Sequence, residues 1–426
     1  MAEIITTAAD EAAAKIAQER YDTKLKRIMD AVALKEPDQV PLFMSTQMFP
    51  AYLTGAKFGT IMRDRGECAK CYDTFFETYD PDMSWDPVEM YPLDAFDTLG
   101  LNFLKWPGNG TPDTTPYQYV ENEYMREDEY DALIANPTGY MMNTWAPRAF
   151  KNLSGLQYLT GFPTMGWLGF FNTTVACANP EVQSAFETLA KAGREIGEWY
   201  GFLGSYDERM KNVYGVPNAW GGFGYPPFDM LANTMRGTIE VLMDMHAQPD
   251  KVLEACDMLL PYAIKADAAA CKATGNPFSI LWLTKCIEMF MSVDDFRKFY
   301  WPTTLKLIEG LVENGIVPVV YLEGGMDSRL ETIREIPQGK CIVHMDQSDM
   351  KYAKSVLKDV ACVAGNMSVS TLISGTPDQV RDKVKQLIDD CAEGGGYIMD
   401  TDMLIDNANP ENLKAYEEAT REFGKY

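Results

Sequence analysis

Short apolar runs alternate with longer amphipathic segments along this chain. Ile316–Leu322 and Cys341–Val343 are rich in β-branched residues and bounded by Gly and Pro, so both predict buried strands. Between them, Arg329–Ile336 has helical spacing. Strand, helix, strand in so short a stretch is a βαβ unit and implies a parallel sheet. The same pattern predicts further strands at Val40–Met44, Phe278–Leu283, Ala361–Ala364 and Gly394–Met399. Pro41 fits the first of these only near its start. Helical spacing marks Met1–Ala33, Arg63–Tyr79, Pro180–Tyr200, Met230–Ala247, Lys251–Thr274, Asp294–Glu313 and Ala353–Lys358. Thr376 predicts an N-cap, with Pro377 at the first helical position.

Repeated strand–helix units at the C-terminal end predict an α/β fold, an eight-stranded (β/α)8 barrel. The remaining units fall in the N-terminal half. The expected organisation is a helical N-terminal extension over residues 1–36, then a catalytic barrel over 37–426 with insertions around 80–160. The extension is expected to pack against the barrel or to contact a further copy of the chain. The uncharged run Thr164–Phe171 is expected to be buried or to line a site.

Composition narrows the partners. The chain has 426 residues, 46% of them apolar, which is enough for a large core. A net charge of −24 excludes nucleic acid and anionic membrane surfaces as expected partners. No apolar run is long enough to span a membrane, and the start has no apolar leader segment. Nine scattered cysteines fit reduced thiols and a cytoplasmic setting. Cys68 and Cys71 form a lone CxxC with no second pair and are expected to be structural.

Polar groups gather where the predicted strands end. Ser45, Thr46 and Gln47 follow the first, Glu323 follows Leu322, and His344 and Asp346 sit at the end of the next. Strand C-termini are where a parallel barrel does its chemistry. Glu323 and His344, one of only two histidines, could share a metal ion; equally, Glu323 could cap a turn and His344 could be a bonded core histidine. His246 is expected at the surface. The loop Gly221–Asp229 has Gly, Pro and aromatic residues that suit a shaped wall, and it is no dinucleotide fingerprint because no strand leads into it.

Several segments, in order, resemble the uroporphyrinogen decarboxylase superfamily. They are Pro227-Phe228-Asp229 through Arg236-Gly237, Gly365-Asn366, Gly375-Thr376-Pro377, and Gly394–Ile398 followed by Pro410-Glu411-Asn412-Leu413. The resemblance implies a TIM barrel. The superfamily's decarboxylases resemble one another in an arginine-bearing segment after the first strand, which here reads Met44-Ser45-Thr46-Gln47-Met48-Phe49 and has no arginine. Its thiol-methylating members carry His-x-Cys where this chain has Tyr321-Leu322-Glu323, and Met403 stands near the place of their later Cys.

A third branch, the corrinoid-dependent O-demethylase methyltransferases, resembles Tyr119–Tyr130, Phe299-Tyr300-Trp301-Pro302, Glu323-Gly324-Gly325 and the stretch from His344 through Asp346 to Met350. That resemblance implies methyl transfer from a small methoxylated aromatic to a corrinoid carried by a partner protein. It also implies zinc on Glu323 and His344, whose Glu-x20-His spacing fits the branch. Glu309 lies mid-helix and is not expected to be a ligand. Cys362 or Asp346 would complete the metal site, and Asp346 or Asp402 would be the general acid. Trp167, Phe170, Phe223, Tyr225 and Phe228 would hold the ring, with Asn366 beside it. The alternatives are a decarboxylase of the same fold and a non-catalytic docking scaffold for a corrinoid protein.

Overall fold

Eight short parallel strands close on one another in a computed structural model that describes residues 4–159 and 167–426. They are β1 (Phe43–Met44), β2 (Met83–Ser84), β3 (Gly222–Gly224), β4 (Phe278–Leu283), β5 (Val317–Leu322), β6 (Ile342–Met345), β7 (Cys362–Ala364) and β8 (Tyr397–Ile398). Strands β3 to β8 pair in chain order, and β1 pairs with β2. Parallel bridges Ser84↔Asn218 and Leu42↔Met399 join these two groups into a closed ring. The fold is therefore the expected TIM barrel.

Alternation along each strand separates two cores. Phe43, Ile280, Val319, Ile342, Cys362 and Ile398 fill the barrel interior. Leu281, Val320, Val343 and Val363 point outward and pack under the helices. Among these helices, Pro377–Cys391 opens with the predicted Thr376 cap, which exchanges bonds with Gln379 in a capping box.

The N-terminal helix Glu11–Val32 closes the lower end of the barrel. Its Ile28, Ala31 and Val32 join the interior core beside Phe278 and Val317, at the N-terminal ends of their strands. The chain then crosses tightly beneath β8. A side chain on Gly395, at φ +77°, would meet the Lys35 carbonyl carbon at 2.3 Å, which explains a glycine there. Buried Asp82 receives Arg27 from this helix and Arg421 from the last one, and it accepts from the Leu42 amide at 2.8 Å.

The long connection between β2 and β3 carries a small sheet of Leu104–Pro107, Gly110–Thr111 and Gln118–Tyr119, and the helix Pro180–Arg209. Arg236, part of the motif resemblance, clamps this connection: it donates to Asp244 at 2.6 Å, to the Met125 carbonyl at 2.6 Å, and to Glu123.

Two expectations are corrected. Arg329–Ile336 holds only a 3-10 turn at Asp327–Arg329 and one α turn at Leu330–Ile333, because Pro337 follows too soon for a longer helix. The run Thr164–Phe171 lies partly outside the described residues. Its described part begins helix Trp167–Ala176, where Trp167, Leu168, Phe170 and Phe171 are each more than half exposed. That helix packs extensively against no other described element; Trp167 and Phe171, one turn apart, cover each other edge-to-face at 5.3 Å.

Cys68 and Cys71 sit buried on helix Arg65–Thr78. Burial pushes the Cys68 thiol up, and Cys71 bonds Thr54 at 3.1 Å. All nine cysteines are free, and no described helix is long and apolar enough to cross a membrane.

Closure from below predicts that Ile28 matters out of proportion to its place near the terminus. Ile28→Ala should cost about 2–5 kcal/mol, the usual loss on truncating a fully buried aliphatic side chain. Urea denaturation is the measurement, and a loss under about 0.5 kcal/mol, the surface-substitution range, would contradict the plug.

Candidate active site

Three neighbouring strands end on the same pattern of ring, aliphatic residue, polar residue: Trp282-Leu283-Thr284, Tyr321-Leu322-Glu323 and His344-Met345-Asp346. The pairing sets them level, with Trp282 opposite Tyr321 and Tyr321 opposite His344. The three rings stack inside the barrel. Centroids lie 4.7 Å apart for Trp282–Tyr321 and 4.0 Å for Tyr321–His344, with interplanar angles of 8° and 19°.

Below the polar ends lies a buried network centred on Asp400, at the end of β8. Its carboxylate accepts from Ser45 Oγ at 2.7 Å, from Tyr321 OH at 3.3 Å and from the Thr401 amide at 2.8 Å. His344 Nε2 lies 3.3 Å from Asp400 and 2.8 Å from the Thr401 carbonyl. A carbonyl can only accept, so Nε2 carries the proton. Nδ1 is buried and has no partner among the described residues, and in the neutral tautomer it is this atom that carries the lone pair. An uncommitted imidazole lone pair is what a metal ion or a proton donor would take.

Glu323, His344, Asp346 and Asp402 line one small inner cavity with Trp282, Tyr321, Leu322, Met403 and Leu404. Glu323 accepts from the Trp282 indole N–H at 2.7 Å. Asp346 accepts from the Gly324 amide at 2.7 Å, and burial raises its pKa, with Asp402 and Glu323 adding to the rise. Asp402 is committed to two backbone amides, Val369 at 2.9 Å and Met403 at 2.8 Å, which suits it to shaping the loop rather than giving up a proton.

The donors available for a metal ion are therefore His344 Nδ1 and the carboxylates of Glu323 and Asp346. Cys362 does not join them. It pairs with Ile342, two residues down the strand from His344, and burial pushes its thiol up to about 12. Among the described residues, no three His, Cys, Asp or Glu side chains stand together as a finished ion cage.

The inner cavity shares Trp282, Glu323, Met403 and Leu404 with a wider one of about 390 Å³ at the barrel mouth. Small-molecule sites typically span about 300–1,000 Å³. Tyr91, Tyr117, Tyr119, Phe223 and Tyr225 supply its rings. Glu89, just after β2, is buried against Tyr117 OH at 2.9 Å and Gln47 Nε2 at 3.2 Å, and burial raises its pKa to about 7. Burial likewise lifts Asp406 to about 6. Asp229 is fully buried and holds the loop after β4 in place: its carboxylate accepts from the Thr284 amide at 2.9 Å, the Lys285 amide at 3.1 Å and Tyr300 OH at 2.6 Å. A second depression of about 620 Å³ lies between Gly59–Gly66, Pro92 and Glu198, and includes no residue of the barrel strands.

Of the expected ring contacts, Phe223 and Tyr225 line the wide cavity. Phe228 does not: it is fully buried in the outer core, its ring 5.6 Å from that of Tyr300. Trp167 and Phe170 are on the exposed helix and outside both cavities. Asn366 reaches the same end of the barrel as Glu323, but its amide donates to the Asp346 and Ser348 carbonyls, both at 2.9 Å, and so braces the loop. Glu309 and His246 are exposed, as expected. Tyr321, Asp400, Glu89, Asp406 and Lys285 were not singled out from the sequence. The repeated ring–aliphatic–polar triplet would have pointed to Tyr321, whereas Glu89 carries no local signal.

A closed parallel barrel with its polar groups at the strand C-termini defines a TIM-barrel enzyme architecture. Residues 215–423 match the family model described as uroporphyrinogen decarboxylase (URO-D), so this part of the chain is similar to that family. Uroporphyrinogen decarboxylase of Geobacter sulfurreducens is 25% identical over 198 residues, and that of Geotalea daltonii is 27% identical over 207. Each match covers 45% of this chain and 56% of the relative, so the chain spans about half the length of these curated proteins. A solved methyltransferase from Methanosarcina mazei shares the fold at a TM-score of 0.59 and 16% identity, over 94% of this chain and 98% of that one.

Buried Glu89 sets a pH dependence of stability. Its pKa rises from the ordinary 4.5 to about 7, so the folded state holds the proton more tightly than the unfolded chain. The associated stability is fully present below about 4.5 and is lost as pH rises through about 7, an effect of about 3 kcal/mol. Denaturation midpoints measured from pH 4.5 to 8 should fall less steeply in Glu89→Gln. Equal slopes would show that Glu89 ionises without cost.

Proposed function

We propose that this protein is a methyltransferase that takes a methyl group from a methoxylated aromatic and passes it to the reduced corrinoid of a cytoplasmic partner protein. The observation that carries this reading is the ring-walled cavity opening directly onto Glu323 and the uncommitted His344 Nδ1. Tyrosine and tryptophan faces suit a flat ring. The inner carboxylates and imidazole suit the ether oxygen.

The reduced corrinoid would supply a nucleophile for the methyl carbon, and zinc would supply a Lewis acid for the ether oxygen. His344 and Glu323 would hold the zinc, with Asp346 as the further oxygen ligand in place of Cys362. As the methyl–oxygen bond breaks, its electron pair stays on oxygen, and a phenoxide leaves badly without a proton or a cation. In a site where Asp346 is not bound to zinc, its raised pKa keeps a proton available for that oxygen. Trp282, bonded to Glu323, fixes the carboxylate facing the cavity.

Decarboxylation is the competing reading, from the names of the curated relatives. Among the described residues, the wide cavity is lined by Glu89, Glu121, Glu323 and Asp406 and by a single cation, Lys285. A substrate with several carboxylates would meet repulsion there. A docking scaffold without activity would need neither the ionisable inner cavity nor a metal.

The test mixes the protein with reduced corrinoid protein and a panel of methoxylated aromatics, following corrinoid methylation by absorbance. His344→Ala should lower the rate on the order of 100- to 1000-fold, by analogy with losing one oxyanion-hole donor, and should lose bound zinc while keeping the fold. If Asp346 gives the proton, the rate should fall as pH rises through its raised pKa, and Asp346→Asn should remove that fall. Full activity in His344→Ala, or a panel that never methylates the corrinoid, would overturn the reading.

A further inference from the structure

Helix Trp167–Ala176 is amphipathic the wrong way round. At about 100° per residue, Trp167, Leu168, Phe170, Phe171 and Val175 fall on one arc of roughly 160°, and each of them is more than half exposed. Thr173, on the opposite side, is buried, and Ala176 beside it is half-buried. A surface helix of a self-contained domain turns its apolar stripe toward the core. Here the small and polar side packs inward and the large apolar side faces out. Thr174 shares the outer arc, and its hydroxyl donates to the Phe170 carbonyl at 2.8 Å, so this face can be covered without leaving a donor unpaired. The Trp167–Phe171 contact already holds two of the rings in place, so covering them demands little further ordering.

Charge and area together identify what covers it. Between Lys151 and Glu181 the chain has no charged residue, although 23% of the whole chain is charged and the net charge is −24. Two copies repel one another over most of their surface and can meet here without opposing like charges. A helix lying on a lipid surface carries Lys and Arg along its polar side. This one has none, and neither residue type occurs between Lys151 and Lys191. The three exposed rings, with Leu168 and Val175, present roughly 600 Å² of apolar surface, at the upper end for the largest patch of a monomer. Two such faces bury about 1,200 Å², which reaches the size of a specific interface.

We infer that helix Trp167–Ala176 is a twofold interface, packed against the same helix of a second copy of this chain. The helix belongs to the connection between β2 and β3, which also carries Glu89, Tyr91, Tyr117 and Tyr119 of the wide cavity. The second copy therefore braces the connection that supplies those side chains. The interface stands on the helix itself and does not rest on the methyl-transfer reading.

Sedimentation equilibrium on the full chain, from nanomolar to tens of micromolar, tests it. A dimer should form in the micromolar range or below. Leu168→Glu combined with Phe171→Glu should weaken it on the order of 100-fold or more, as losing central apolar anchors does. Both side chains are exposed in the single chain, so the thermal midpoint of this variant should match that of dilute, monomeric wild type. Trp167→Ser, a milder change, should weaken the dimer in the same direction. Ile239→Glu combined with Met243→Glu, which alters exposed apolar residues on helix Thr238–Ala247, should leave the dimer unchanged. A wild-type chain that stays monomeric at tens of micromolar would overturn the interface. So would a dimer indifferent to the Leu168 and Phe171 changes, a dimer lost equally to the Ile239 and Met243 changes, or a monomer that pellets with phosphatidylcholine vesicles through this helix.

Discussion

Three flat rings on three adjacent strands, locked at one register, are the constraint on which the site depends. Trp282, Tyr321 and His344 can stack only if β4, β5 and β6 are aligned as they are. A one-residue slip would turn any one of them out of the barrel. Aromatic pairs of this kind contribute roughly 0.5–1.5 kcal/mol beyond their burial. Their larger effect is geometric. Tyr321 fixes the plane of the imidazole and its hydroxyl reaches Asp400, which draws in Ser45 from β1 and Thr401 after β8. Four strands that are distant in the chain are thereby tied to one buried carboxylate.

That ladder also explains the electrostatic character of the mouth. The polar residue of each triplet lies beyond the rings, with Asp346 buried and Thr284 and Glu323 half-buried. Glu89, Asp346 and Asp406 all hold protons more tightly than ordinary carboxyls because burial penalises their charged forms. Perturbed carboxyls gathered in one concave space are what a working active site requires.

Much of the barrel could be read from residue pattern because β4 to β8 are apolar runs with turn residues at their ends. Phe278–Leu283 was legible to the residue. β1 and β2 are two residues each, too short for any periodicity, and β2 escaped notice. Glu323, His344 and Asp346 were legible because strand ends in parallel barrels collect chemistry. Cys362 was misplaced because a residue's depth along a strand depends on register, which one sequence does not display. Phe228 and Trp167 were misplaced for a related reason: an aromatic residue suits a pocket, an outer core or an exposed helix equally well. Asp400 and Glu89 owe their importance to partners hundreds or tens of residues away, and no local pattern announces such a meeting.

The N-terminal helix has a kinetic consequence. With Ile28, Ala31 and Val32 sealing the lower end, the cavity opens, among the described residues, at the opposite end of the barrel. Anything bulky that settles on that opening also shuts in whatever lies below it. A small molecule must therefore arrive first, and its remnant can depart only after the larger participant has lifted away. A reaction run in such a vessel has a compulsory sequence of entry and exit, imposed by the architecture before any chemistry is considered.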